Sequence, residues 1–183
     1  MTTAVEQKQI YIVISQTGTV LSRILKMITG AEYNHASLSL SPNLDAMYSF
    51  GRKNPYNPFI GGFVLESPHT GTFKRFHKTK ALVMAVDISE ETHNAINEAI
   101  EKMLAERKKY HYNYLGVLLA AIHINHKRAN CYYCSEFVKH ILEEFEIEGS
   151  KELNPIVHPI HFLKLPHTPI YCGKLKDYTF PSN

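Results

Sequence analysis

The segment His35-Ala36-Ser37-Leu38-Ser39-Leu40 alternates polar and apolar residues without a break, and the fold prediction starts from it. Successive side chains of a β-strand point to opposite faces, so this pattern predicts a strand with one apolar face and one polar face. The apolar face is suited to a hydrophobic core. The polar face begins with His35, so the strand also carries a side chain that can transfer protons near neutral pH.

Further strands are predicted on both sides of this segment, from β-branched and aromatic runs bounded by turn residues. They cover residues 9–15, 46–50, 63–66, 73–76, 81–88 and 170–178. The Pro- and Asn-rich residues 51–58 are predicted to form a loop.

Apolar residues at helical spacing predict helices near residues 19–29, 89–109, 114–124 and 134–146. Ser89 is the expected N-cap of the second helix, with Glu90 and Glu91 in its first turn. No internal repeat or low-complexity linker divides the chain, so we expect a single domain over residues 1–183. The expected fold class is α+β, an antiparallel sheet flanked by helices.

The composition is that of an ordinary globular protein, with 44% hydrophobic and 20% charged residues among 183. It excludes a disordered, collagen-like or coiled-coil chain. The net charge is +3, from 20 Lys and Arg against 17 Asp and Glu, and the basic residues are scattered among acidic ones. A nucleic-acid-binding protein usually concentrates its cations on one face, so we expect no nucleic-acid partner.

The first residues lack the charged and apolar regions of a secretory signal. The longest apolar run, residues 115–122, is shorter than the roughly 18–20 residues that span a bilayer, and it is expected to be a buried helix. We therefore expect a cytoplasmic protein without a transmembrane segment. In that reducing compartment the three cysteines, an odd number, are expected to be free thiols.

Cys134 comes just before a helical stripe formed by Phe137, Val138 and Ile141, so the sequence places it at a helix N-terminus. The positive end of the helix dipole favours the thiolate, which is the nucleophilic form of cysteine. His35, on an early strand, can serve as general base and acid for that thiol. The two residues could instead be a buried small hydrophobe and a strand-end histidine, since their separation alone is no motif.

Two short motifs carry a family resemblance: Tyr33-Asn34-His35-Ala36-Ser37-Leu38 on an early strand and Tyr133-Cys134-Ser135-Glu136-Phe137-Val138 on a late helix. With the order of the elements around them, they resemble the circularly permuted papain-like (NlpC-type) superfamily, which includes YiiX-like bacterial proteins and lecithin retinol acyltransferase. The resemblance implies a permuted papain-like fold in which His35 and Cys134 are catalytic and a neighbouring strand supplies a third polar residue.

The resemblance also implies an activity: a cysteine hydrolase (amidase or peptidase) or an acyltransferase that acts on an amide or ester. Peptidoglycan-type peptides, other amides and lipid acyl groups are the implied substrates, and no metal or organic cofactor is required. Since no secretory signal is visible, cytoplasmic peptides or recycled fragments fit better than intact cell wall. The expected partner is thus a small-molecule or peptide substrate.

The third catalytic position is open between two residues. Ser49 lies on the strand after that of His35, where relatives commonly place a carboxylate or a histidine, and Glu66 lies on the next strand. A hydroxyl stabilises an imidazolium less than a carboxylate does, so Ser49 would imply a slow enzyme or a binding protein. The backbone N–H of Cys134 is the expected first oxyanion donor, and the second is left open.

Tyr112, Tyr114 and Arg52 are the candidates for substrate binding. The two tyrosines resemble the aromatic stretch that relatives carry before the cysteine helix, although packing tyrosines with hydrated hydroxyls are an equal alternative. Arg52 could line a cleft for an anionic group, although loop cations are usually only solvated.

Three other functions would use the same residues. A non-catalytic ligand-binding module would retain the cleft without the chemistry. A redox protein would pair Cys131 with Cys134, although in thioredoxin-like folds this spacing follows an early strand. A zinc site could use Cys131, Cys134, Cys172 and a histidine, but the sequence has no second paired cluster at structural-zinc spacing.

Overall fold

A computed structural model describes residues 7–18, 30, 32–54 and 56–181, without the side chain of residue 58. The helix predicted near residues 19–29 lies outside these ranges. In chain order the strands are β1 Gln7–Gln16, β2 His35–Ser39, β3 Met47–Asn54, β4 Asn57–Glu66, β5 Lys80–Ser89, β6 His111–Tyr112, β7 Cys131–Tyr132 and β8 Thr168–Lys174. The helices are α1 Gly71–Arg75, α2 Glu90–Ala105, α3 Tyr114–Ala120 and α4 Cys134–Glu144.

Six strands form one sheet in the order β4-β3-β2-β1-β5-β8, and every pairing in it is antiparallel. β6 and β7 form a separate two-stranded parallel pair. The expected α+β class with an antiparallel sheet is therefore confirmed. Short 3₁₀ turns occupy Arg107–Lys109, Ser150–Glu152, Pro159–Lys164 and Leu175–Asp177.

Both faces of the sheet are buried. One face packs against α2 and α4 through a large cluster that includes Ile12, Leu38, Ile100 and Phe137. Residues of the opposite face pack with Phe73 of α1 in a smaller cluster. The alternation of β2 is confirmed, because Ala36 and Leu38 belong to the large cluster while the side chains of Ser37 and Ser39 are buried outside it.

The predicted N-cap of α2 is confirmed, since the Ser89 hydroxyl accepts a hydrogen bond from the Thr92 N–H at 3.0 Å. Such a bond satisfies one of the N–H groups that a helix start leaves without an intrahelical partner. The helix is shorter than predicted: it ends at Ala105, and its basic end, Arg107–Lys109, is a 3₁₀ turn. α4 likewise ends at Glu144 rather than near residue 146.

The loop predicted for residues 51–58 is wrong. β3 continues to Asn54 and β4 begins at Asn57, so a tight hairpin joins two strands that are longer than the local pattern indicates. Pairing between the strands satisfies backbone groups that a loop would leave to water, and β4 is an edge strand, where proline is tolerated. The closing strand predicted for residues 170–178 is shifted to Thr168–Lys174.

Two other predictions also need correction. Residues 73–76 are not a strand, because Gly71–Arg75 forms one helical turn that buries Phe73. The apolar run at residues 115–122 is not fully buried: α3 ends at Ala120, and Leu115 and Leu118 are about half exposed. His123 then takes a left-handed backbone conformation, with φ of 62°, as the chain turns back.

This arrangement brings two distant parts of the chain to one end of the sheet. His35 begins β2 and pairs with Ser15 near the end of β1. α4 packs against β2 and β3, and its first residue is Cys134. The start of the helix therefore lies at the start of the strand that carries the histidine.

Candidate functional site

Cys134 and His35, the two residues that the sequence analysis singles out, are neighbours in the structure. Cys134 is close enough to the His35 imidazole to raise the pKa of that ring, and its thiol donates to the main-chain carbonyl of Asn34 at 3.9 Å. Only 5% of Cys134 is exposed. The thiol thus sits in a largely dry pocket beside the ring that could take its proton.

The carboxylate of Glu66 contacts the His35 imidazole. Its Oε2 lies 2.9 Å from Nε2 of His35, and the two side chains are 11% and 13% exposed. A carboxylate in this position orients the imidazole and stabilises its protonated form.

Ser37, two residues after His35 on β2, completes the hydrogen bonding of the carboxylate. Its hydroxyl donates to Glu66 Oε2 at 2.9 Å, and its oxygen lies 3.3 Å from His35 Nε2. The sequence analysis places Ser37 on the polar face of the strand but assigns it no role. The signal in the sequence was the two-residue spacing between His35 and Ser37, because residues i and i+2 of a strand share a face.

The electrostatic surroundings strongly favour a charged His35. Burial opposes the charge, but the Glu66 carboxylate and the hydrogen bonds to Cys134 and Glu66 outweigh it and raise the pKa of His35 to about 10. An imidazolium beside a thiol is the pairing that activates a cysteine nucleophile. The ring is therefore charged at neutral pH.

Ser49, the other candidate for the third position, has a different partner. Its buried hydroxyl donates to the main-chain carbonyl of Ala36 at 2.7 Å. That hydrogen bond links β3 to β2. Of the two candidates for the third position, Glu66 is the one that contacts the imidazole. The register of the sheet determines which of the two residues faces the imidazole. The sequence alone does not specify that register between distant strands.

Gly51 leaves the space that the imidazole and the carboxylate occupy. A Cβ atom at this position would lie 3.3 Å from Val64 Cγ2, 3.4 Å from Glu66 Oε1 and 3.6 Å from His35 Cε1. Any larger side chain would press on the pair. The sequence analysis reads Gly51 only as the start of a loop and so misses this role.

The predicted substrate-binding tyrosines lie next to each other over β4. The ring centroids of Tyr112 and Tyr114 are 4.6 Å apart, and both side chains approach the backbone of Gly61 closely. Burial, followed by the negative charge of Cys134, raises the pKa of Tyr112 well above its ordinary value. Its phenol is therefore a hydrogen-bond donor in the neighbourhood of the thiol.

Arg52, the third predicted binding residue, lies on β3 opposite Gly61. Its guanidinium stacks on Phe76, 5.6 Å from the ring centroid. Burial and the neighbouring Arg75 lower the pKa of Arg52, while Tyr112, Tyr114 and Glu66 counteract them. The Arg52 guanidinium thus has neighbours in common with the candidate catalytic residues.

The cavity beside Cys134 is small, with a volume of about 30 Å³. Its lining includes Asn34, Tyr133 and His158. A cavity of this size holds about one water molecule. A larger groove of about 510 Å³ runs past Glu66 and Arg52.

The two other thiols lie apart from this cavity. Cys131 lines a separate cavity of about 320 Å³, and Cys172 is exposed on β8. Within the described ranges, no group of three or more His, Cys, Asp or Glu side chains could hold a metal ion. None of the helices in the described part of the chain is long and apolar enough to cross a bilayer.

The candidate site thus joins residues of three elements: Cys134 from α4, His35 from β2 and Glu66 from β4. The imidazole hydrogen-bonds to the carboxylate, and the thiol lies near the imidazole. Such an arrangement can hold a thiolate, move a proton and keep the proton carrier oriented. Comparisons with protein-family models, with curated proteins and with solved structures found no match.

Proposed function

We propose that this protein is a thiol hydrolase or acyltransferase with a permuted papain-like (NlpC-type) fold. The observation that carries the proposal is the grouping of Cys134, His35 and Glu66: the carboxylate lies 2.9 Å from the imidazole, and Cys134 is near enough to raise the pKa of the ring. This is the arrangement of nucleophile, base and orienting group that cysteine acyl-transfer chemistry requires. The α+β sheet, with its early histidine strand and late cysteine helix, is compatible with that fold.

In the proposed reaction the Cys134 thiolate attacks the carbonyl carbon of an amide or ester. The C–N or C–O bond then breaks, and the His35 imidazolium gives its proton to the departing amine or alcohol. The acyl group stays on Cys134 as a thioester. Water, or another acceptor, attacks this thioester while His35 takes its proton, and the acid or the transferred acyl product leaves.

Two donors would stabilise the oxyanion that forms during each attack in this proposal. The N–H of Cys134 belongs to the first turn of α4, where N–H groups have no intrahelical partner. The phenol of Tyr112, which stays protonated near Cys134, is the second. This role fills the position that the sequence analysis leaves open.

The first test is the rate of iodoacetamide alkylation at each cysteine, followed by peptide mass spectrometry from pH 5 to 10. We expect Cys134 to react at neutral pH at least about tenfold faster than exposed Cys172, because imidazolium favours the thiolate. His35→Ala should remove this advantage. The exposed His69→Ala is the matched control and should retain it.

The second test uses p-nitrophenyl acetate, whose acetyl group should appear on Cys134 as a thioester and then decay by hydrolysis. Equal reactivity of Cys134 and Cys172, or a Cys134 rate that ignores the loss of His35, would contradict the proposal. A reactive Cys134 that never carries an acetyl group would support the second candidate function.

That second candidate is a binding module that retains the cleft without turnover, and the small cavity favours it. A volume of about 30 Å³ beside the buried Cys134 leaves little room for a substrate acyl group in this conformation. Turnover would then require side chains around the thiol to move. A binding module predicts no acetyl-enzyme and unchanged ligand affinity in Cys134→Ser.

A further inference from the structure

The side chain of Arg52 has unused hydrogen-bonding capacity next to the proposed catalytic residues. Its Nη2 atom is buried and has no hydrogen-bond partner among the residues that the structure describes. A guanidinium carries five N–H donors and normally uses them when it leaves water. The orphaned nitrogen can therefore donate a hydrogen bond to a bound anion.

Positive charge is concentrated around Arg52. Arg75 lies over the ring of Phe76 at 5.5 Å, and Arg52 lies over that ring at 5.6 Å, so two guanidinium groups share one aromatic side chain. Like charges held this close repel each other. An oxyanion beside Arg52 would accept a hydrogen bond from its unused N–H group.

Arg52 lies near the carboxylate of the candidate site, because Arg52 and Glu66 line the same groove. Arg52 pairs across the hairpin with Gly61, against which Tyr112 and Tyr114 pack. The charges of Cys134 and Arg52 both act on the pKa of Tyr112, in opposite directions. The groove of about 510 Å³ that Arg52 lines also reaches Glu66, and Lys53, Arg107 and Lys108 extend its positive lining.

We propose that Arg52 is a specificity residue that binds an oxyanion of the substrate, a carboxylate or a phosphate, and so presents the acyl carbonyl to Cys134. This inference rests on the proposed function and names its substrate class: an amide or ester that carries an anionic group beside the bond that breaks. Arg75 strengthens the positive field around that group.

The test compares two alkylating reagents of similar size, neutral iodoacetamide and anionic iodoacetate, at Cys134. We expect the iodoacetate-to-iodoacetamide rate ratio at Cys134 to exceed that at Cys172 about tenfold, because the subsite attracts the carboxylate. Arg52→Gln should lower the ratio about fivefold, and Arg52→Lys should restore part of it. The exposed Lys102→Gln removes the same charge elsewhere and is the matched control.

The His35 imidazolium also attracts iodoacetate, but it is present in all four proteins, so the change of ratio isolates Arg52. A ratio that Arg52→Gln and Lys102→Gln lower equally would overturn the proposal, because the effect would then be one of net charge. A slow iodoacetamide reaction in the wild type would instead refute the proposed function itself. The two failures are therefore distinguishable.

A measurement on the wild type needs no folded variant. Sodium succinate and inorganic phosphate should each protect Cys134 from iodoacetamide in a saturable way, relative to sodium chloride at equal ionic strength. The anion that protects at the lower concentration identifies the substrate group as a carboxylate or a phosphate. No protection by either anion would overturn the proposal.

Discussion

Nε2 of His35 lies 2.9 Å from Oε2 of Glu66, although 31 positions separate the two residues in the sequence. Both side chains are largely removed from solvent, so their attraction is weakly screened. The carboxylate fixes the orientation of the ring and keeps it charged beside Cys134. Most testable predictions about the candidate site follow from this contact.

Glu66→Gln should lower the pKa of His35 from about 10 towards the ordinary value of 6.5, since burial then acts with less opposition. An NMR titration of the His35 ring protons measures this directly. Glu106→Gln, which breaks an exposed ion pair with Lys109, is the control and should leave the His35 titration unchanged. A wild-type His35 that titrates near 6.5 would contradict the ion pair.

Stability should depend on pH through the same group. Because folding raises the pKa of His35 from 6.5 to about 10, its contribution is complete below pH 6.5 and is lost as pH rises through about 10. We expect the free energy of unfolding of the wild type to fall by about 2–4 kcal/mol over this range, the order of breaking one buried pair.

Urea unfolding at pH 6, 8 and 10 measures this loss. In Glu66→Gln the fall between pH 6 and 10 should be much smaller, because the folded and unfolded proteins then bind the His35 proton more equally. An identical fall in wild type and Glu66→Gln would assign the pH dependence to other groups.

Ser37 and Ser49 should respond differently to loss of their hydroxyl groups. Ser37→Ala removes the donor to Glu66 and should lower the iodoacetamide rate at Cys134 about threefold to tenfold. Ser49→Ala removes the donor to the Ala36 carbonyl. It should cost about 1 kcal/mol of unfolding free energy while leaving the Cys134 rate within about twofold of the wild type.

Alkylation kinetics and urea unfolding of both serine variants separate the two roles. The reverse pattern, with Ser49→Ala slowing Cys134 and Ser37→Ala leaving its rate unchanged, would return Ser49 to the third catalytic position.

Gly61→Ala should displace the two tyrosines beside the thiol. The added Cβ would lie 2.8 Å from Tyr112 Cβ and 2.7 Å from the Tyr114 hydroxyl, closer than such atoms pack. We expect a loss of about 1–3 kcal/mol of stability, together with a changed Cys134 alkylation rate.

Gly18→Ala is the matched control, because its Cβ would meet Phe76 at an ordinary 3.4 Å. Thermal unfolding and alkylation of the two variants provide the comparison. Equal stability and equal Cys134 alkylation rates in the two alanine variants would show that the positions of the tyrosines do not depend on the close approach at Gly61.

Local pattern was sufficient for most of the secondary structure. Alternation predicts β2, a β-branched run predicts β1 and β5, and Ser89 predicts the start of α2. These features depend on residues within one strand or one turn, so neighbours in sequence determine them. The errors fall where pairing or burial at a distance dominates: the β3–β4 hairpin, the single turn around Phe73 and the half-exposed helix α3.

Short periodic segments are therefore enough to predict that His35 starts a strand and that Cys134 starts a helix. Only the tertiary structure decided that Glu66, rather than Ser49, holds the imidazole, that Ser37 supports the carboxylate and that Gly51 leaves room for both. Those choices depend on the register of three neighbouring strands, since a shift by one residue turns every side chain to the opposite face.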